Sequence, residues 1–185
     1  MADVSPVLQT LYEGRRDEAE RLADAAELDV FEAAAFDRVD RLKTLLAEDG
    51  ELARAVSSDG FTPLHLAAFF AAPRAAQLLV ERGAEIDAIA RNPMRVTPLH
   101  SGAAAQQAEI ARLLLDHGAD PNARQHGGFT PIHAGAQNGD AELVELLLTR
   151  GADPALRTGD GRDAADFAAE AGQDELAARL RQSRP

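Results

Sequence analysis

One phrase returns along this chain at a nearly constant spacing, and it limits the fold more than any other feature. Gly60-Phe61-Thr62-Pro63-Leu64-His65 comes back as Arg95-Val96-Thr97-Pro98-Leu99-His100 and again as Gly128-Phe129-Thr130-Pro131-Ile132-His133. A worn copy reads Gly161-Arg162-Asp163-Ala164-Ala165-Asp166. The copies begin at 62, 97, 130 and 163, so the spacings are 35, 33 and 33 residues. A second phrase keeps the same beat, from Leu78-Leu79-Val80-Glu81-Arg82-Gly83-Ala84 through Leu113–Asp120 to Leu146–Asp153. A unit this short cannot bury an apolar face alone. Units of this kind are stable only when stacked, each covering the next.

The chemistry inside one unit predicts two helices and a loop. Thr62, Thr97 and Thr130 are N-cap residues, whose hydroxyls accept from otherwise unpaired N–H groups. The proline after each sits at the first helical position, where a missing N–H costs nothing. Gly139-Asp140 makes a turn and an N-cap for a second helix over 141–150. Gly83, Gly118 and Gly151 stop the second helices, because glycine tolerates the left-handed backbone at that point. The Asp, Asn, Gly and Pro residues that follow are hairpin-loop chemistry. Where one unit has Gly139, two others have Ala71 and Gln106. If those turns need positive φ, the two units carry strain there.

These motifs resemble the ankyrin-repeat family, whose Thr-Pro-Leu-His signature and Leu-Leu-Leu-x-x-Gly-Ala-Asp run coincide here three times. The resemblance spans about residues 29–183. It implies an all-α solenoid with short β-hairpin loops, built from stacked helix-turn-helix repeats. The expected division is an N-terminal helical extension or partial repeat at 1–28 and an N-terminal repeat without its His at 29–61. Full repeats follow at 62–96, 97–129 and 130–162, then a capping repeat at 163–185. Residues 5–27 read as a helix pair without a hairpin, stacked on the N-terminal end. The resemblance also implies that His65, His100 and His133 are structural and tie neighbouring repeats. Their spacing puts them in equivalent places about 10 Å apart, which cannot gather three ligands around one metal ion.

Composition narrows the function. Acidic residues number 31 and basic residues 19, a formal charge of −12. That sign argues against a nucleic-acid backbone or an anionic membrane as partner. There is no cysteine, which removes disulfides, thiolate metal sites and cysteine nucleophiles. The N-terminal segment shows no secretory pattern, and no apolar run is long enough to span a bilayer. A cytoplasmic protein is the expectation. The bias toward Arg and Ala hints at a bacterial source. Signatures of nucleotide loops, serine nucleophile elbows and zinc peptidases are absent. The expectation is a monomer without catalysis and without cofactor, whose work is to bind an as yet unidentified protein. A small-ligand or peptide sensor, or an accessory subunit of an enzyme, is the alternative.

Family resemblance places contacts on the concave face and hairpin tips. Three of the seven Phe residues, Phe36, Phe69 and Phe70, fall on first-helix positions of that face. Phe61, Val96 and Phe129 stand at hairpin feet. Phe69 and Phe70 lean toward partner anchors, while packing suits Phe36, Phe61 and Phe129 better. Beside them, Ala104 and Ala105 leave room for a shallow apolar groove. The hairpin before Thr97 is two residues longer than its neighbours and carries Met94 and Arg95. Such insertions often lie on a binding face, and a neutral insertion in a tolerant loop explains it equally well.

Overall fold

The computed structural model describes residues 4–183. Twelve α-helices come in pairs among them. The first pair is α1 (Pro6–Tyr12) and α2 (Arg16–Ala25), followed by α3 (Val30–Ala35) and α4 (Val39–Glu48). The three signature-bearing units supply α5 (Pro63–Phe69) with α6 (Pro73–Glu81), α7 (Pro98–Ala104) with α8 (Ala108–Asp116), and α9 (Pro131–Gln137) with α10 (Ala141–Thr149). The last pair is α11 (Ala164–Glu170) and α12 (Asp174–Gln182). Odd-numbered helices pack on one another in sequence, α1 on α3 and so on to α11. From α4 to α10 the even-numbered helices form a second row. No helix among the described residues is long and apolar enough to cross a membrane.

Between the rows lies the core. Leu64, Leu99 and Ile132 come from the inner row and Leu79, Leu114 and Leu147 from the outer row, all six with no solvent exposure. Each contributes about 1.5–3 kcal/mol by leaving water. Ala67, Ala68 and Ala103, also fully buried, keep the inner helices close. Small side chains do there what large ones would prevent.

The units are tied by their histidines. The Thr62 N–H donates to His65 Nδ1 at 3.2 Å, and on its other side His65 Nε2 lies 3.0 Å from the carbonyl of Val96, at the hairpin foot that leads into the next helix pair. His100 repeats this with Thr97 and the Phe129 carbonyl; His133 accepts from Thr130 in the same way, but its Nε2 meets the Leu156 carbonyl, earlier in its hairpin. Because Nδ1 accepts, Nε2 must carry the proton and donate. Burial pushes His65 and His100 down to about 4 and lowers His133 as well, so the ring is neutral in each.

The unit without a histidine uses Glu32 instead. Asp29 caps α3, and its own N–H donates to Glu32 Oε2 at 2.9 Å. Glu32 Oε1 accepts from Ser5 Oγ at 2.6 Å, at the N-cap of α1. The tie therefore runs backward to the first helix pair.

Two details of the loops matter. Each hairpin is closed by one backbone bond between its arms, such as Ala90 N–H to the Val96 carbonyl at 2.8 Å, over a turn bond at its tip. One bond between the arms makes no ladder, so the expected β-hairpin arms contain no β-strand among the described residues. The inter-helix turns do take positive φ: 54° at Asp37, 61° at Ala71, 58° at Gln106 and 67° at Gly139.

Candidate functional site

Repetition alone builds a groove on the inner row. In three successive units the residue after the signature histidine faces it: Leu66, Ser101 and Ala134. One turn later come Phe69, Ala104 and Gln137. The hairpin feet Phe61, Val96 and Phe129 form one flank. Bulky residues stand at the first unit and small ones, Ser101 and Ala104, in the middle. The result is a concavity of about 480 Å³, within the usual range for ligand sites.

Its chemistry is nearly all apolar. No Asp, Glu, Lys or Arg lines it, although 27% of the chain is charged. His65 and His100 reach its floor as neutral rings with both nitrogens already bonded. Gln125, Gln137 and Ser101 supply its free polar atoms. Exposed large apolar residues are few among those described, and three of them, Tyr12 at 39%, Phe69 at 44% and Met94 at 52%, border this groove.

Tyr12 closes the groove's N-terminal end. Its ring lies 5.4 Å from that of Phe70, which in turn meets Phe69 edge-on at 5.1 Å. The Tyr12 hydroxyl donates to Asp59 Oδ2 at 2.8 Å. Burial, first, and the Asp59 carboxylate hold this phenol above its ordinary range. Arg16 Nη1 also reaches the Phe70 carbonyl. The first helix pair is thus seated on the end of α5. At the other end Phe129 packs on Phe167 at 5.4 Å, with the Arg162 guanidinium 4.3 Å over that ring. Arg162 is held by Asp160 at 2.6 Å and Glu170 at 2.7 Å.

The structure therefore gathers Phe61, Phe69, Met94, Val96 and Phe129 around one concavity. It separates the remaining three candidates from that lining. Phe36 is 4% exposed and Phe70 9%; both end a first helix and pack inside the stack, Phe70 beneath Tyr12 of the first helix pair. Arg95 lies on the exposed tip between Met94 and Val96. Sequence reasoning missed Tyr12 and Gln125. Gln125 occupies a hairpin position equivalent to Ala90, so the repeat register contains it. Tyr12 lies outside that register, and no local signal marks it.

Family models described as ankyrin repeats match two overlapping stretches of the chain. A three-copy model covers residues 30–125 and a many-copy model residues 114–168. The helix pair that carries Tyr12 precedes both. No curated protein matches the chain.

Proposed function

The chain belongs to the ankyrin-repeat family, a family of protein-interaction modules, and from that premise we propose that it binds a protein partner through the groove on its inner row, without chemistry of its own. One observation carries this reading. An uncharged concavity of about 480 Å³, bordered by exposed Phe69 and Met94, interrupts an otherwise charged surface. An apolar patch of this kind marks an interaction site, and aromatic anchors in pockets carry most of an interface's energy. Phe61, Val96 and Phe129 shape the groove, and Phe36 and Phe70 support it from inside the stack. The net charge of −12 favours a protein over nucleic acid or anionic lipid. In this reading the protein acts as a monomer.

Affinity capture from the source lysate, with wild type beside Phe69→Asp and Ala104→Trp, tests the proposal. Both variants are first checked for native helicity. A protein retained by wild type and lost on both variants supports it. Equal retention by all three moves the site off the groove and defeats it.

The groove's uncharged lining and its volume also favour a second reading, a small apolar ligand. Saturable binding of the neutral fluorophore N-phenyl-1-naphthylamine to wild type and not to Ala104→Trp would favour that reading.

A further inference from the structure

Four hairpins lead into the helix pairs that follow them, and each has a residue with positive φ just ahead of the groove-facing foot. Three are glycines: Gly60 at 90°, Gly128 at 78° and Gly161 at 88°. The fourth is Arg95 at 53°. A side chain in left-handed backbone carries a steric cost that glycine avoids. The one unit that bears this cost is also the one whose hairpin is two residues longer.

The tip carrying Arg95 is held from both sides. Asn92 Nδ2 donates back to the Asp59 carbonyl at 3.0 Å, and the His126 N–H donates to the Met94 carbonyl at 3.0 Å. Asn92 Oδ1 accepts from Met94 N–H at 3.1 Å, and the Asn92 carbonyl accepts from Arg95 N–H at 3.2 Å. A rigid tip thus presents Met94 to the groove and Arg95 at its rim. Arg91 is exposed on the same hairpin. Neither guanidinium has an ion pair or side-chain hydrogen bond among the described residues. Arg162, at the foot of the last hairpin and one residue further along than Arg95 in the repeat, is neutralised by two carboxylates. On a protein of charge −12, the rim beside Met94 is an isolated, unpaired positive spot.

We propose that the groove's occupant is an acidic segment of a partner protein, with two bulky apolar side chains in the concavity and a carboxylate at Arg95 and Arg91. This rests on the protein-binding reading above. The concavity exceeds any single side chain, its lining bears no charge, and the charged side chains of the 88–96 hairpin beside it, Arg91 and Arg95, are both positive. Complementary charge at a rim chiefly sets selectivity and association rate. A preformed tip lowers the ordering cost of binding.

The test is a selection of 12-residue peptides from a random displayed library on the full chain, with counter-selection on Ala104→Trp. Enriched peptides are then titrated by fluorescence anisotropy against wild type, Arg95→Gly and Arg95→Glu. The expected peptides pair two bulky apolar residues with Asp or Glu. Arg95→Gly weakens them about fivefold and Arg95→Glu more, as one exposed charge pair should, and both effects fade with added salt. Arg95→Gly at the same time melts higher, by about 1–3 °C. Groove-dependent peptides that are neutral or basic, or that ignore Arg95→Glu, overturn the acidic-partner inference and leave the groove reading standing. Peptides that bind Ala104→Trp equally, or no enrichment at all, overturn both. If N-phenyl-1-naphthylamine binds saturably in that last case, the occupant is a small ligand.

Discussion

His100 and Glu32 hold the same place in their units, the third residue of the first helix, and they hold it by opposite chemistry. His100 is a buried neutral ring that accepts from its own N-cap and donates forward to the Phe129 carbonyl, at the foot that leads into the next helix pair. Glu32 is a buried carboxylate, 6% exposed, that accepts from its own N-cap and from Ser5 behind it. A donor is needed wherever the following hairpin offers a carbonyl, as in the middle of the stack. An acceptor is needed where the preceding helix offers a hydroxyl, as at Ser5. The direction of the tie thus follows from the partner atom, and the central ladder and the N-terminal joint should respond differently to acid and to truncation.

Acid should separate the two regions most. His65 and His100 lie near 4 in the folded chain against an ordinary 6.5, with desolvation the main cause. The unfolded chain therefore takes up these protons first. Their stabilisation is complete above about pH 6.5 and is lost as pH falls toward 4, by roughly several kcal/mol for the ladder. Urea melts at pH 7, 5.5 and 4 should show the midpoint falling. A His100→Gln chain should have a shallower slope, because one of the titrating rings is gone. An unchanged slope would mean that this ring does not couple to folding.

Truncating the two tie residues comes next. His100→Ala leaves the Thr97 N–H and the Phe129 carbonyl without partners and opens a cavity, for about 2–4 kcal/mol. The loss should appear in the global melt. Glu32→Ala strands the Asp29 N–H and the Ser5 hydroxyl at the edge of the stack, for about 1–2 kcal/mol. Hydrogen exchange should then quicken in α1 and α2 and stay near wild type in α7–α10, since a solenoid's coupling decays with distance. Uniform acceleration would show that the N-terminal joint is part of one cooperative unit with the centre.

How much of this was legible in the sequence depended on whether a residue belonged to the repeat. Thr62, Pro63 and His65 could be read because their roles are local and recur at 97–100 and 130–133. The groove was legible in part, since Phe69, Ala104 and Phe61 fall in register. The neighbours Phe69 and Phe70 could not be told apart. One step along a helix end decides between 44% and 9% exposure, and what covers Phe70 is Tyr12, which a linear reading cannot bring there. Tyr12 meets Asp59 across 47 residues, from a helix pair with no hairpin and no signature. A unique long-range contact leaves no periodic trace, and that is why the end wall of the groove escaped notice.

The smallest effect sharpens the comparison at the turns. Asp37, Ala71 and Gln106 all adopt left-handed backbone, yet they should not respond alike to glycine. Ala71 has no polar side-chain atom to contribute. Gln106 makes only a 3.4 Å contact from Nε2 to the Asn138 carbonyl. Relief of left-handed strain should outweigh the extra chain entropy of glycine in both. Ala71→Gly and Gln106→Gly should each gain about 0.5–1 kcal/mol, or about 1–3 °C in melting temperature. Asp37 differs because its carboxylate accepts from the Ala75 N–H at 2.7 Å and from Arg74 Nε at 2.7 Å. Asp37 thereby caps α6 from the preceding unit, a role α6 lacks within its own unit, since Ala72 provides no side-chain cap. Loss of such a cap costs about 1 kcal/mol, so Asp37→Gly should melt no higher than wild type, and lower if the cap outweighs the strain. A rise at Asp37 equal to that at Ala71 would mean that the carboxylate contributes nothing to the joint between the N-terminal unit and the central stack.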